Sequence, residues 1–382
     1  MSRSQLSTQS VAVIGAGIIG LSCALELANR GLRVTIYETN WPPRGASWAA
    51  AGMLAPAFEA VSMAGGSRDL YDLCAASAGL WPDWAKQIEK TSGLASGYHP
   101  GPSLAVALDE AEVRRLTAVE TALADAVETS ETRTDRLAAI EPALSEKVLS
   151  GLLLPSDGQV DNRLTLDALI ACVSRDPMIC ITANAAPLRL TARGLDHAGH
   201  DATILAAGWQ TGGVHYSANG HDRDICDLDP ALKLIEPVAG QMLSVEPIEG
   251  GPRMTIRAGH LYIVPKADRI VIGATSEPGR VIDTPEAEQI AALRAHAIEI
   301  CPVLENAPIQ EAWAGIRPGL ASHNPLIGET AMPGLFVASG HYRNGILLAP
   351  ITAQIIADLI QTGSAGALGA KFAPAYAAPE RV

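Results

Sequence analysis

The chain has 382 residues, with 28 Lys+Arg against 41 Asp+Glu, a net charge of −13, and 48% hydrophobic against 18% charged residues. That is the composition of a globular protein of about two domains, and it excludes a largely disordered chain. The acidic balance and the lack of any Lys/Arg cluster exclude a nucleic-acid surface, because clustered cations are what a phosphate backbone requires.

Met1–Ser10 is polar and does not read as a signal peptide. No run approaches the ~20 apolar residues of a membrane-spanning helix. Val11–Ile14 reads as a short buried strand and Leu21–Arg30 as a helix stopping at Gly31, with Gly15, Gly17 and Gly20 between them. Arg33–Tyr37 is a second strand, ending at Glu38, so the chain opens with a βαβ unit. Leu80–Ser145 reads as helix-rich and charged around one strand, Leu104–Leu108, and Asp109–Arg115 reads as an exposed helical face. Asp201–Gly208 is a buried strand running into a glycine. Gly240–Glu246, His260–Pro265 and Arg269–Gly273 follow as strands without intervening helices, which predicts an antiparallel sheet. Leu335–Ser339, a turn at Gly340–Gly345 and a helix at Ile346–Ile360 restore the parallel pattern.

The predicted class is therefore α/β. A discontinuous Rossmann-like domain takes 1–85, 145–215 and 310–364, and an α+β domain with a mainly antiparallel sheet takes 86–144 and 216–309. The Ala/Gly/Pro-rich tail, 365–382, reads as a frayed terminus. Six scattered cysteines without a Cys-x-x-Cys pair suit a reduced, cytoplasmic protein, each one a small buried hydrophobe. His215, His221, Asp222, Asp224 and Cys226 crowd one segment, but their spacing fits no metal-ligand pattern, and they read as a solvated loop.

The chemistry begins at Gly15-Ala16-Gly17-Ile18-Ile19-Gly20. Between a strand and a helix, Gly15 permits the tight turn, Gly17 lets a pyrophosphate approach the backbone, and Gly20 allows close helix–strand packing. The helix N-terminus offers N–H groups and a positive dipole end to phosphates. Glu38, 18 positions beyond Gly20, stands near the spacing of an acid that accepts ribose hydroxyls and disfavours a 2′-phosphate. NADP is thereby disfavoured, while FAD and NAD remain open on the fingerprint alone. Two further segments favour FAD. Ala46–Leu54 is rich in small residues whose backbone can lie against a cofactor. Gly340–Ile346 joins a strand to a helix, and its N–H groups suit negative charge on a reduced flavin ring.

Taken together, Gly15–Gly20, Ser47-Trp-Ala-Ala-Ala-Gly-Met53, Trp313-Ala-Gly-Ile-Arg-Pro-Gly319 and Gly340-His-Tyr-Arg-Asn-Gly-Ile-Leu-Leu-Ala349 resemble the D-amino-acid-oxidase-like flavoenzymes. Within that group they are most similar to the glycine oxidases of thiamine biosynthesis, and the resemblance spans about Val11 to Ile360. It implies noncovalent FAD and oxidative deamination of a small amino acid, with O₂ as electron acceptor. It also implies cofactor contacts at Ile18, Ile19, Glu38, Thr39, Ala46, Ser47, Ala51, Gly52, Met53, Pro187 and the turn His341, Tyr342, Asn344, Gly345, Ile346 and Leu347. Ala16, Gly208 and Gly340 complete the predicted set. Arg317 would bind the substrate carboxylate, Tyr262 would add a hydroxyl to it, and Arg343 would line the pocket. No cysteine lies in Arg317–Gly328, where sarcosine-oxidase relatives attach flavin covalently. The stretch Trp209–Gly240 departs from the family pattern, and if it borders the pocket, substrate choice differs from glycine.

The residue chemistry agrees with the resemblance. A guanidinium fork meets a planar carboxylate bidentately, which Lys cannot do. With the carboxylate fixed, Cα–H can be aimed at flavin N5, so hydride transfer from the neutral amine needs no side-chain base. D-amino-acid or sarcosine-type oxidases and dehydrogenases are the rival enzymes. A noncatalytic FAD-binding or tRNA-modifying scaffold is the rival class, and it has no need for Arg317 and Tyr262 together. Oligomeric state, a homo-oligomer included, is left open by the sequence.

Overall fold

The structure is a computed structural model and describes residues 10–56, 67–123, 130–191 and 194–377. Its first layer is a six-stranded sheet in the order Leu326–Glu329, Leu335–Ser339, Ala202–Leu205, Ser10–Ile14, Arg33–Tyr37 and Ile179–Thr182. Only Leu326–Glu329 runs antiparallel to its neighbour. The three central strands, Leu335–Ser339, Ala202–Leu205 and Ser10–Ile14, are largely apolar and buried, as parallel strands covered on both faces are, whereas Arg33–Tyr37 alternates buried with less buried residues and the edge strand Ile179–Thr182 has none buried. The helix Ile18–Asn29 has buried residues on most of its surface, since it lies between that sheet and Ala349–Thr362.

The second layer is a nine-stranded, mainly antiparallel sheet containing Ser103–Ala107, Ser150–Leu154, Glu236–Val245, Thr255–Ala258, Leu261–Pro265, Ile270–Gly273 and Ile309–Gly319. Strand Glu236–Val245 pairs with Ile309–Gly319 over nearly its whole length, setting Val238 opposite Arg317 and Met242 opposite Trp313. Met242 and Tyr262 both lie opposite Gly273. Because side chains alternate faces along a strand, Tyr262, Met242, Trp313, Gly315 and Arg317 share one face. Helix Ala287–Ile300 packs on this sheet.

The long helix Arg68–Ser92 starts at Ser67, whose Oγ accepts from Leu70 N–H at 3.1 Å, and ends at Gly93 with φ 72°. Several sequence expectations change. The helix after Leu335–Ser339 begins at Ala349 rather than Ile346, because Tyr342–Asn344 first forms a 3₁₀ turn. Residues 209–240 include the hairpin His215–Ala218/His221–Asp224, which joins Arg189–Thr191 in a four-stranded sheet. The presumed loop of histidines and aspartates is thus an exposed hairpin, with His215 Nδ1 3.4 Å from both Asp222 and Asp224 carboxylates. The start of the tail is ordered, with a helix at Pro374–Ala377: Phe372 is buried, and Lys371 pairs with Asp69. Cys180 is exposed, unlike the other five cysteines, because it lies in the edge strand Ile179–Thr182. The polar start lies, but for Ser10, outside the described residues, among which no helix is long and apolar enough to cross a membrane.

Candidate active site

The three fingerprint glycines act differently. Gly15 has φ 103°, and a Cβ there would stand 2.5 Å from the Ala206 carbonyl oxygen. A Cβ on Gly20 would overlap the Gly15 carbonyl oxygen, so the helix meets the turn only without a side chain. Gly17 carries no capping side chain and would meet only Ser47 Oγ, at 3.4 Å. Ile18 N–H donates to that same Oγ at 3.0 Å. Glu38 accepts from Ala16 N–H and from Asn40 N–H, both at 2.9 Å, which fixes the carboxylate at the end of the second strand.

These residues border a cavity of about 1680 Å³, larger than the roughly 300–1,000 Å³ of a site for one small molecule. Gly15, Gly17, Ile18, Ile19, Glu38 and Thr39 line it on the fingerprint side. Ala46, Ser47, Ala51, Gly52 and Met53 form another wall, and Pro187 and Gly208 a third. The divergent segment borders the cavity through Trp209 to Asp222, beside Pro187 and the strand Arg189–Thr191. Tyr262, Arg317, His341, Tyr342, Arg343, Gly345 and Ile346 also line it, so residues far apart in sequence meet around one space.

Five predicted contacts are not on the wall. Ala16 spends its N–H on Glu38, and Gly20 lies behind the turn. Gly340, with φ 75°, lies against Leu320, Asn344 is buried, and the Leu347 carbonyl accepts from Ser77 Oγ at 2.6 Å and Trp81 Nε1 at 2.8 Å. They shape the wall from behind.

Arg317 lies across Gly240, where any Cβ would collide with its guanidinium. It donates to the Thr275 carbonyl at 3.2 Å, and Tyr262 is hydrogen-bonded to it. Enclosure pulls its pKa below the usual arginine value; Tyr262 opposes this, while the like charge of Arg343 adds to it. Arginine is so basic that the group stays cationic. Its planar fork faces the cavity beside a phenol, a pairing that suits a carboxylate.

Sequence reasoning missed the side chains that hold the Ala46–Ala51 wall. Asn162, buried at the start of helix Asn162–Arg175, donates to the carbonyls of Ser47 at 3.0 Å and Trp48 at 2.7 Å. Trp313 Nε1 donates to the Ala49 carbonyl at 2.9 Å. The Arg163 guanidinium stands 3.8 Å from the Trp48 ring centroid and 4.8 Å from that of Trp313. The only cue for Trp313 was its place four residues before Arg317; Asn162 offers none. Gly315 admits this wall, since a Cβ there would strike Ala49. Among the described residues no cysteine lines the cavity, and no His/Cys/Asp/Glu group could hold a metal.

An extended cavity with a bare glycine turn at a helix start, an acid at the second strand and a backbone-rich wall fits a flavin dinucleotide. Comparison with known proteins agrees. The chain is 33% identical over 92% of its length to a bifunctional protein ThiO/ThiG of Trichormus variabilis, of which it covers 53%. It therefore spans about half the length of the first curated relatives it matches. It is 31% identical to a glycine oxidase of Geobacillus kaustophilus, with 92% of each chain covered. The crystal structure of glycine oxidase from that organism superposes with a TM-score of 0.80 at 30% identity, covering 92% of this chain and 95% of the other. The family model for DAO, FAD dependent oxidoreductase, matches residues 10–359, and the chain belongs to that family.

Proposed function

We propose that this chain oxidises glycine or a similarly small amino acid: glycine, O₂ and water give glyoxylate, ammonia and hydrogen peroxide. The observation that carries this reading is Arg317 beside Tyr262 in the wall of the same cavity that the glycine fingerprint borders. The similarity to glycine oxidases along the whole matched length supports it. The similarity to ThiO/ThiG proteins supports a role in supplying the imine product to thiazole formation in thiamine biosynthesis.

In this reading the fingerprint turn, Glu38 and the 46–53 wall hold noncovalent FAD, with Gly345 and Ile346 at the flavin end. Bound FAD supplies a two-electron acceptor for the hydride leaving Cα. Arg317 takes the substrate carboxylate through two parallel hydrogen bonds, and Tyr262 donates to the same group. Two fixed points leave Cα one orientation, and the amine lone pair drives imine formation without a side-chain base. Arg343 keeps the pocket positive for the carboxylate, within a protein whose net charge is −13.

The test is anaerobic mixing of the flavin-loaded protein with glycine, sarcosine, D-alanine and D-proline, followed by readmission of oxygen. Glycine is expected to bleach the flavin fastest, and oxygen to restore its colour with release of peroxide. Faster bleaching by sarcosine or D-proline would replace the glycine assignment, and slow recovery in oxygen would make the protein a dehydrogenase. Failure of all four to bleach the flavin would overturn the amino-acid reading.

A further inference from the structure

Tyr342 lines the cavity with its side chain fixed at several points. Its backbone adopts φ 50°, which bulky residues rarely take, and such strain collects where a side chain has to point one way. Its hydroxyl lies 3.2 Å from Ser276 Oγ. Its ring stands beside that of His323, 5.4 Å between centroids, and the Arg343 guanidinium carbon is 5.9 Å from the ring centroid. Backbone, ring and hydroxyl are each held, so the ring can resist a ligand that presses on it.

The same ring stands next to the proposed carboxylate anchor. Arg317 and Gly319 lie two positions apart on one strand, and therefore on one face. A Cβ on Gly319 would stand 3.8 Å from Tyr342 Cδ2, so the ring takes the place along that face next to Arg317. Ser276 follows Thr275, whose carbonyl accepts from Arg317 at 3.2 Å, and one short segment thus fixes both the guanidinium and the phenol. Enclosure lowers the Arg317 pKa, and Tyr262 and Tyr342 both oppose that, as hydroxyls close to a guanidinium do.

The consequence is a limit on size. In an amino acid Cα is one bond from the carboxylate carbon, so a ring fixed beside the carboxylate anchor also stands beside whatever Cα carries. We propose that Tyr342, latched by Ser276, is the wall that limits the side chain on Cα, so that glycine and amino acids with a small side chain are taken in preference to bulky ones. This places Tyr342 against the substrate, where the family resemblance implies a cofactor contact, and it rests on the amino-acid reading of the site.

The test measures kcat/KM of the FAD-loaded protein for glycine and D-leucine, and reads Kd for acetate and benzoate from the change in flavin absorbance. Wild type should prefer glycine and acetate. In Tyr342→Ala the D-leucine-to-glycine ratio of kcat/KM and the benzoate-to-acetate affinity ratio should each rise about ten-fold, with FAD still bound. Ser276→Ala, at an exposed residue, leaves the ring in place but unlatched and should raise both ratios about three-fold, and Tyr342→Phe should match it. Should Tyr342→Ala not fold, the ratios in these two milder variants decide. Ratios unchanged in every folded variant, or a wild type that turns over D-leucine as well as glycine, would overturn the wall and leave the site reading intact. A wild type that binds FAD yet responds to neither carboxylate nor either amino acid would overturn both.

Discussion

At the scale of single residues, Arg317 and His341 make separable predictions. Arg317 presents a planar fork, so Arg317→Lys keeps the charge and loses the paired geometry. With about 2–3 kcal/mol of charge-assisted hydrogen bonding removed, KM for the amino acid should rise roughly 10²-fold while FAD stays bound. Unchanged steady-state kinetics would remove Arg317 from the carboxylate site. His341 is buried with Nε2 3.0 Å from Thr352 Oγ1, and burial pushes its pKa down to about 3. Below about pH 6.5 the unfolded chain takes up a proton that folded His341 refuses. Stability therefore falls as pH drops from about 6.5 toward 3, by up to about 1.4 kcal/mol per unit from this group. His341→Gln keeps a hydrogen-bonding side chain and should flatten that slope in denaturant unfolding between pH 6.5 and 4. Other buried histidines, such as His197, contribute the same background to both proteins. An equal slope in wild type and variant would mean that His341 is not held neutral.

Among elements, the Ala46–Ala51 wall shows where short-range sequence reading stops. Its small residues are visible in sequence, and so is the reason a cofactor can approach them. What fixes the wall comes from elsewhere: Asn162 on a helix and Trp313 on a strand of the other sheet. Asn162→Ala removes both hydrogen bonds from Nδ2 to the part-buried Ser47 and Trp48 carbonyls. The expected result is FAD binding weakened about ten-fold, equivalent to about 1.4 kcal/mol, in a protein that still unfolds cooperatively. Flavin fluorescence titration of the apoprotein measures this, and an unaltered Kd would reduce the clamp to general packing. The same limit governs the strands. Gly240–Glu246, His260–Pro265 and Arg269–Gly273 were legible because they are short apolar runs without helix between them. Ile309–Gly319 was read as a motif rather than a strand, because Gly315 and Pro318 disfavour strand in isolation. Its long pairing with Glu236–Val245 overrides that preference, and the two prolines, Pro237 and Pro318, face each other near its end.

For the whole molecule, Val11–Ile14 and the final strand were legible because parallel strands buried on both faces carry unbroken apolar runs, and Arg33–Tyr37 because Val34, Thr35 and Ile36 are a β-branched run. The ordered start of the tail and the hairpin at His215–Asp224 were not, since polar or small-residue segments gain their structure from what they rest against. Gly328, for example, lies against Ala373 and Pro374, and strand His215–Ala218 needs Arg189–Thr191 beside it. The cavity has the same character at larger scale: its wall joins the parallel sheet at Gly15, the small sheet at His215 and the antiparallel sheet at Arg317. A ligand filling it touches all three and binds only the assembled fold, so its binding energy adds to folding stability. FAD at a hundred times its Kd should contribute about 2.7 kcal/mol and raise the melting temperature by several degrees. Thermal unfolding of the apoprotein, followed by tryptophan fluorescence, with equal concentrations of FAD, NAD or AMP distinguishes the occupants. AMP, reaching only the Glu38 and Pro187 end, should give a smaller shift than FAD, and NAD should fall short for want of contacts at Gly345 and Ile346. Equal shifts from FAD and AMP would mean that the flavin half makes no net contribution, and would sever the nucleotide end of the cavity from the Arg317 end.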